Sequence, residues 1–293
     1  MIITTLLFLM LTVGVMGAEP LPMAESCEFK MLLNNELFNE PEKGCASFWR
    51  LVEQVAGEHG CQTVSKPEIE DDREICFIDT AAFDLYKSSL LLRVRDEDPI
   101  QRQNGLLQFG EDAELTLKYR SNILASATLA PLEAVHGLAE VAGIEEDIAV
   151  TASGPRSFFS RSAEFEELVT VPDAPAALVK TFPGLASAGL PASGAFKIVN
   201  DLVIVEKRYR QGSINFADKD AKAMFSFWYK KDEPGKLFAA EFSFKLKLNP
   251  DKPEKSEKRR RAADAFFIDL ISRTQSYRAA HQTKTGMVYG LTD

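Results

Sequence analysis

Charged residues in this 293-residue chain recur at every second position of several short runs. Arg93 and Arg95 flank Val94, and Glu28 and Lys30 flank Phe29. Glu114, Thr116 and Lys118 alternate with Leu115 and Leu117, while Glu164 and Glu166 repeat the same spacing. Glu206, Arg208 and Arg210 form another row, and Glu241, Ser243, Lys245 and Lys247 a last one. Along an extended strand residues i and i+2 share a face, so each run predicts one charged face and one apolar face. The apolar partners are Phe29 and Met31, Leu92 and Val94, Leu115 and Leu117, then Phe242, Phe244 and Leu246.

A single strand of this kind is ordinarily the solvated side of an amphipathic sheet. Here both signs of charge recur from Glu28 to Lys247, and arginine is prominent. A guanidinium forks onto phosphate oxygens better than it serves mere solubility. Turned inward, these faces would line a charged lumen. Buried charges are costly unless they pair or bind a ligand. Basic and acidic rows together suit a polyphosphate with a divalent cation, the bases neutralising phosphate and the carboxylates holding the metal.

The elements that must carry these rows follow from the pattern. Alternating runs predict strands over 27–33, 74–79, 90–95, 113–120, 147–153, 162–169, 202–210, 223–230 and 237–248. The Pro-Gly of "KDEPGK" marks a hairpin between the last two. Helices are expected over about 42–58, 130–143, 172–182 (interrupted by Pro175) and 255–280. Many antiparallel strands with few helices predict an α+β domain or a barrel, the helices covering its apolar outside. Residues 18–248 read as one domain, and 249–293 as a charged loop, a helix packed on it and a tail.

Composition sets the outer limits. With 45% hydrophobic and 26% charged residues the chain can bury a core. A formal charge of −9 argues against a nucleic-acid coat or an anionic membrane surface, yet leaves a local basic cavity open. Residues 1–17 are uncharged, and Val15 and Gly17 suit a signal-peptidase site before Ala18. Cleavage would make the protein secreted or periplasmic, the alternative being a retained anchor. Cys27, Cys45, Cys61 and Cys76 then read as structural disulfides, Cys45 with Cys61 and Cys27 with Cys76 being one arrangement. His59, His136 and His281 have no metal-ligand spacing, and neither a P-loop nor a GxSxG elbow occurs.

Taken in order, these motifs resemble the CYTH family, the triphosphate tunnel metalloenzymes. The family's opening E-x-E-x-K strand is matched by Ser26-Cys27-Glu28-Phe29-Lys30. "CFIDTAAFDLYKSSLLLRVRD" (76–96) follows through Asp79, Thr80, Leu85, Arg93 and Arg95. "ELTLKYR" brings Lys118, Arg161–Glu166 an R-x-E-x-E-like strand, "EKRYR" a basic strand, and "AAEFSFKLK" the final glutamate. The resemblance implies an eight-stranded antiparallel barrel whose tunnel binds a triphosphate compound and hydrolyses it with Mg²⁺ or Mn²⁺. It would give Lys30, Arg93, Arg95, Lys118, Arg208 and Arg210 to phosphate. Glu28, Glu166 and Glu241, supported by Glu114 or Glu164, would hold metal, with Glu28 and Lys30 closest to catalysis. Ser26 and Ser243 stand where the family carries acids, and Trp228 where it more often has aspartate. Those departures favour, as the alternative, a barrel that binds a polyanion without hydrolysing it.

Overall fold

The computed structural model describes residues 23–70, 72–103, 106–151, 153–165, 171–191, 194–279 and 283–291. The signal-like segment 1–17, Glu166 and His281 lie outside the described residues. Strands run in chain order as β1 (Ser26–Leu33), β2 (Gln62–Ile69), β3 (Arg73–Asp79), β4 (Leu90–Asp96), β5 (Gln101–Gln103), β6 (Leu106–Gln108) and β7 (Glu114–Ser121). They continue as β8 (Ala139–Val141), β9 (Glu145–Thr151), β10 (Gly154–Phe165), β11 (Lys197–Ile198), β12 (Ile204–Phe216), β13 (Lys219–Lys230) and β14 (Glu233–Lys247). The helices are α1 (Pro41–Glu58), α2 (Asp84–Lys87), α3 (Leu124–Thr128), α4 (Pro175–Thr181), α5 (Pro253–Arg273) and α6 (Lys284–Tyr289).

Nine strands close a barrel. The path β3-β4-β7-β10-β9-β1-β14-β13-β12 returns to β3 through Ile204–Ile75, Val205–Glu74 and Glu206–Arg73. Each of the nine alternating runs read in the sequence overlaps one of these strands. The eight antiparallel strands implied by the resemblance are corrected on two counts. There are nine, and β1 runs parallel to β9 while pairing antiparallel with β14. Past Arg208, β12 leaves β3 and pairs with β2 outside the barrel, across a bulge at Arg210–Gly212. A Cβ on Gly212 would lie 1.9 Å from the Val64 carbonyl oxygen, so only glycine permits this approach.

Alternation along β1, with every second residue buried, puts Phe29 and Met31 on the outside of the barrel. There, with Phe225, Phe242 and Phe244, they meet Phe48 and Val52 of α1 and Phe266, Phe267 and Leu270 of α5. Phe29 stacks on Phe244 at 4.6 Å. Both helices carry proline in the first turn, where the missing N–H has no intrahelical partner to lose. Burying a phenylalanine here stabilises the fold by about 1.5–3 kcal/mol. A second core sets Leu92, Val94, Leu115 and Leu117 against Leu178 of α4, Phe182 and Leu185. A third lies at one barrel end, where Phe77, Leu91 and Trp228 meet Val288 and Tyr289 of α6. Asp79 ties this end together. Its carboxylate accepts N–H groups from Thr80, Leu85 and Tyr86, at 2.7, 2.9 and 3.0 Å, and the Tyr289 hydroxyl at 3.2 Å.

Three further expectations are corrected. The helix expected over 130–143 is absent: a short α3 precedes it and β8 occupies its end, because Pro131 and the positive φ of Gly137 stop a helix between them. Pro175 starts α4 rather than interrupting it, again at the first turn. No disulfide forms among the four cysteines. Cys27 belongs to the core under α1 and α5 and Cys76 to the core under α4, which keeps them apart. Burial pushes the Cys27 and Cys45 thiols up to about 12.

Candidate functional site: a charged tunnel

Because the outer faces of the strands are apolar, their charged faces turn into the barrel and line a cavity of about 300 Å³. Glu28 and Lys30 enter from β1, Arg93 and Arg95 from β4, Lys118 from β7, Arg208 from β12 and Glu241 from β14. Arg73, Arg120, Asp147, Glu206 and Lys284 complete the charged lining. Eight cationic side chains therefore face four carboxylates, a surplus that calls for an anion.

The two signs are not evenly mixed. On one wall Lys30 Nζ bridges Glu28 (2.9 Å) and Asp147 (2.7 Å). Arg120 reaches Asp147 at 2.5 Å, and Lys118 bonds Glu145 at 3.2 Å and lies 3.7 Å from Asp147. Lys245 also pairs with Glu145. Burial disfavours the Asp147 carboxylate, but Lys118, Lys30 and Arg120 outweigh it and hold Asp147 well below the ordinary range. Glu145 is lowered to about 2, burial again being overcome, chiefly by Lys118. Lys30 is raised, because Asp147 and Glu28 outweigh its burial.

On β4, the strand next to that of Lys118, Arg93 and Arg95 lack such close partners. No carboxylate stands within ion-pair distance of Arg93 among the described residues, and the buried Nε atoms of Arg93 and Arg95 have no hydrogen-bond acceptor. Arg95 comes no closer than 3.9 Å to Glu114. Burial, then Arg95 and Arg73, push Arg93 down to about 9; burial and Arg73 push Arg95 down to about 10. Like charges crowded in a buried place are stable only with an anion between them.

The remaining expected residues fall elsewhere. Arg210 sits where β12 has joined β2, and pairs with Glu68 at 3.1 Å outside the cavity. Glu114 is largely exposed beside Arg95, and Glu164 is exposed opposite Thr116 and Glu140. Neither lines the cavity or joins an acidic cluster. Ser243 does line it, opposite Lys30, whereas Ser26 lies beyond it, opposite Glu145 and Lys247. Sequence reading missed Asp147 and Glu145: Asp147 opens the 147–153 run, and Glu145, two residues earlier on β9, shares its face. Glu28, Glu145 and Asp147 bring carboxylate oxygens within 4.8 Å of one another. An all-oxygen set of this kind fits a hard divalent cation such as Mg²⁺ or Mn²⁺. Glu241, expected among the ligands, is instead held by Lys284 at 2.8 Å.

No protein-family model and no curated protein matches the chain in sequence. Among solved structures it is similar to an adenylyl cyclase-type protein from Hippeastrum that is reported to show a dominant triphosphatase activity. The identity is 14% and the TM-score 0.41, over 91% of this chain and 96% of that one. A candidate adenylate cyclase from Bacillus halodurans matches at 14% identity and a TM-score of 0.38, covering 90% and 95%. Another from Vibrio parahaemolyticus matches at 11% and 0.31, covering 90% and 98%. Likenesses this distant carry no chemistry across. The closed barrel and its charged lumen, though not the strand number or the all-antiparallel pairing, agree with the tunnel that the resemblance to the CYTH family implies.

Proposed function

We propose that the tunnel binds the triphosphate end of a small molecule, inorganic tripolyphosphate or an organic triphosphate, and hydrolyses it. The observation that carries this is the Arg93–Arg95 pair, buried guanidinium groups crowded with Arg73. Among the described residues no carboxylate is at ion-pair distance from Arg93, and only the exposed Glu114, at 3.9 Å, stands beside Arg95. Their flat forks match the oxygens of successive phosphates. At about 300 Å³ the cavity is at the small end of ligand sites, which suits a compact anion with its head group outside.

Within this reading Arg93, Arg95 and Arg73 hold the phosphate chain, while Lys30 and Lys118 turn from their carboxylates toward its oxygens. Glu28, Glu145 and Asp147 would hold the divalent cation, which when bound supplies charge neutralisation and an acidified water. Glu28, one of the four carboxylates lining the cavity, would also orient the attacking water and take up its proton. Lys30, kept as an ammonium by Asp147 and Glu28, contributes charge and not a base. Catalysis of this kind is positioning and electrostatic stabilisation.

Ser243 in the lining, and the pairing of the acidic wall with lysines, support a second reading in which the anion is held but not cleaved. The deciding experiment measures phosphate release from tripolyphosphate and nucleoside triphosphates with Mg²⁺ or Mn²⁺. Turnover lost in Arg93→Ala establishes the hydrolase. Binding without turnover under any metal leaves only the second reading, and no binding at all overturns both.

A further inference from the structure

Glu241 was expected to hold metal, yet a cation supplied by the far end of the chain holds it. Residues 283–285 line the cavity at the barrel end where Trp228 and Phe77 sit. Lys284 Nζ lies 2.8 Å from Glu241 Oε1 and 3.7 Å from Glu206 Oε1, and it donates to Ser226 Oγ at 3.0 Å. It also stands 4.6 Å from the centroid of the Trp228 ring. Glu206 is already engaged by Arg73 Nε at 2.7 Å, Ser226 Oγ at 2.6 Å and Trp228 Nε1 at 2.7 Å.

Two carboxylates, a hydroxyl and an aromatic face match an ammonium, which has three donors and attracts a π-system. With the ammonium in place a divalent ion is kept out, because it would need the same Glu206 and Glu241 oxygens that face Lys284. Nor is the lysine loosely placed. Asn200 Nδ2 donates to the Val288 carbonyl at 2.8 Å, the Tyr289 hydroxyl bonds Asp79, and both α6 side chains are buried.

We infer that Lys284 is a resident cation of the tunnel, standing on Glu206 and Glu241 where a second metal ion would otherwise bridge β12 and β14. The α6 end of the tunnel therefore works without metal, and a divalent ion is confined to Glu28, Glu145 and Asp147. This rests on reading the tunnel as a site for an anion and a metal, but its test needs no anion and no turnover.

The test is Mn²⁺ binding to the full chain, followed by electron paramagnetic resonance without phosphate. The expected wild-type result is one site, weakened at least tenfold by Asp147→Asn and changed less than twofold by Glu241→Gln. Lys284→Met keeps an apolar stem over Trp228, and should gain a second Mn²⁺ site that Glu241→Gln removes again. A tenfold loss of wild-type Mn²⁺ affinity in Glu241→Gln alone would overturn the inference, whether or not Lys284→Met folds. So would a folded Lys284→Met chain that gains no site. A wild-type chain without any Mn²⁺ site that acquires one in Lys284→Met would uphold the resident cation, and would overturn the metal assignment proposed for the acidic wall.

Discussion

Arg93→Met should make the empty protein more stable and weaken its hold on the ligand. The guanidinium, ordinarily at 12.5, is pushed down to about 9 by burial and by Arg95 and Arg73. At about 1.36 kcal/mol per pH unit, carrying that charge costs the fold at most roughly 5 kcal/mol. Water inside the tunnel reduces this to roughly 1–3 kcal/mol. Methionine fills much of the same volume without the charge, so melting should rise by roughly 2 °C per kcal/mol regained. The sign with pH follows from linkage. The cost is fully present below about 9 and is relieved as pH rises from there toward 12.5, so the wild type should close the gap in alkaline buffer. Ligand reverses the order. Tripolyphosphate at a hundred times its Kd should stabilise the wild type by about 2.7 kcal/mol. The variant lacks charge-assisted bonds worth about 1.5–3 kcal/mol, and should bind roughly 10- to 150-fold more weakly. Differential scanning fluorimetry at pH 7.5 and 9.5, with and without tripolyphosphate, reads all of these. A variant that melts lower than wild type and binds tripolyphosphate within threefold of it would refute the reasoning.

Asp147→Asn should destabilise the fold by about 3–5 kcal/mol in urea titrations, because Lys30, Lys118 and Arg120 then lose the buried charge they share. For the same reason wild-type stability, full above the ordinary carboxylate range, should fall as pH drops from about 4.5 toward 2, the value to which Glu145 is lowered; tryptophan fluorescence would follow it. Thiol titration of the chain unfolded without reductant should count four thiols, with Cys61, the least buried, reacting first in the native protein. Gly212→Ala should cost more than 2 kcal/mol and expose β2 to proteolysis, since the new Cβ meets the Val64 carbonyl at 1.9 Å.

How far the site was legible depended on whether a residue's direction is set locally. Arg93, Arg95 and Lys118 sit in strands that stay in the barrel wall, so alternation alone told which way they face. Arg210 obeys the same alternation, but β12 has changed neighbours by then, and neither the bulge nor β2's arrival is written in the run itself. Asp147 could have been found: Glu145 and Asp147 share a face by the rule that placed Glu28 and Lys30 together. Lys284 could not, because its position depends on six residues of α6 docking at the barrel end through Asp79 and Asn200. The ninth strand was visible as an alternating run, whereas the parallel pairing of β1 with β9 depends on contacts between residues far apart in sequence. Cysteine count and a leader-like start argued for disulfides, but hydrophobic burial placed Cys27 and Cys76 in different cores.

That parallel seam also governs how the chain can fold. β1 is the first barrel strand made, yet its two neighbours are residues 145–149 and 240–247. One edge stays unpaired on the ribosome until residues 145–149 are made and the other until nearly the whole barrel has been synthesised, and no early hairpin can shelter it. Pairings this distant in sequence delay the transition state and place folding on the millisecond-to-second side of the range for single domains. During that wait Phe29 and Met31 are exposed, which gives the nascent chain a reason to need a chaperone that its finished, well-covered surface does not show.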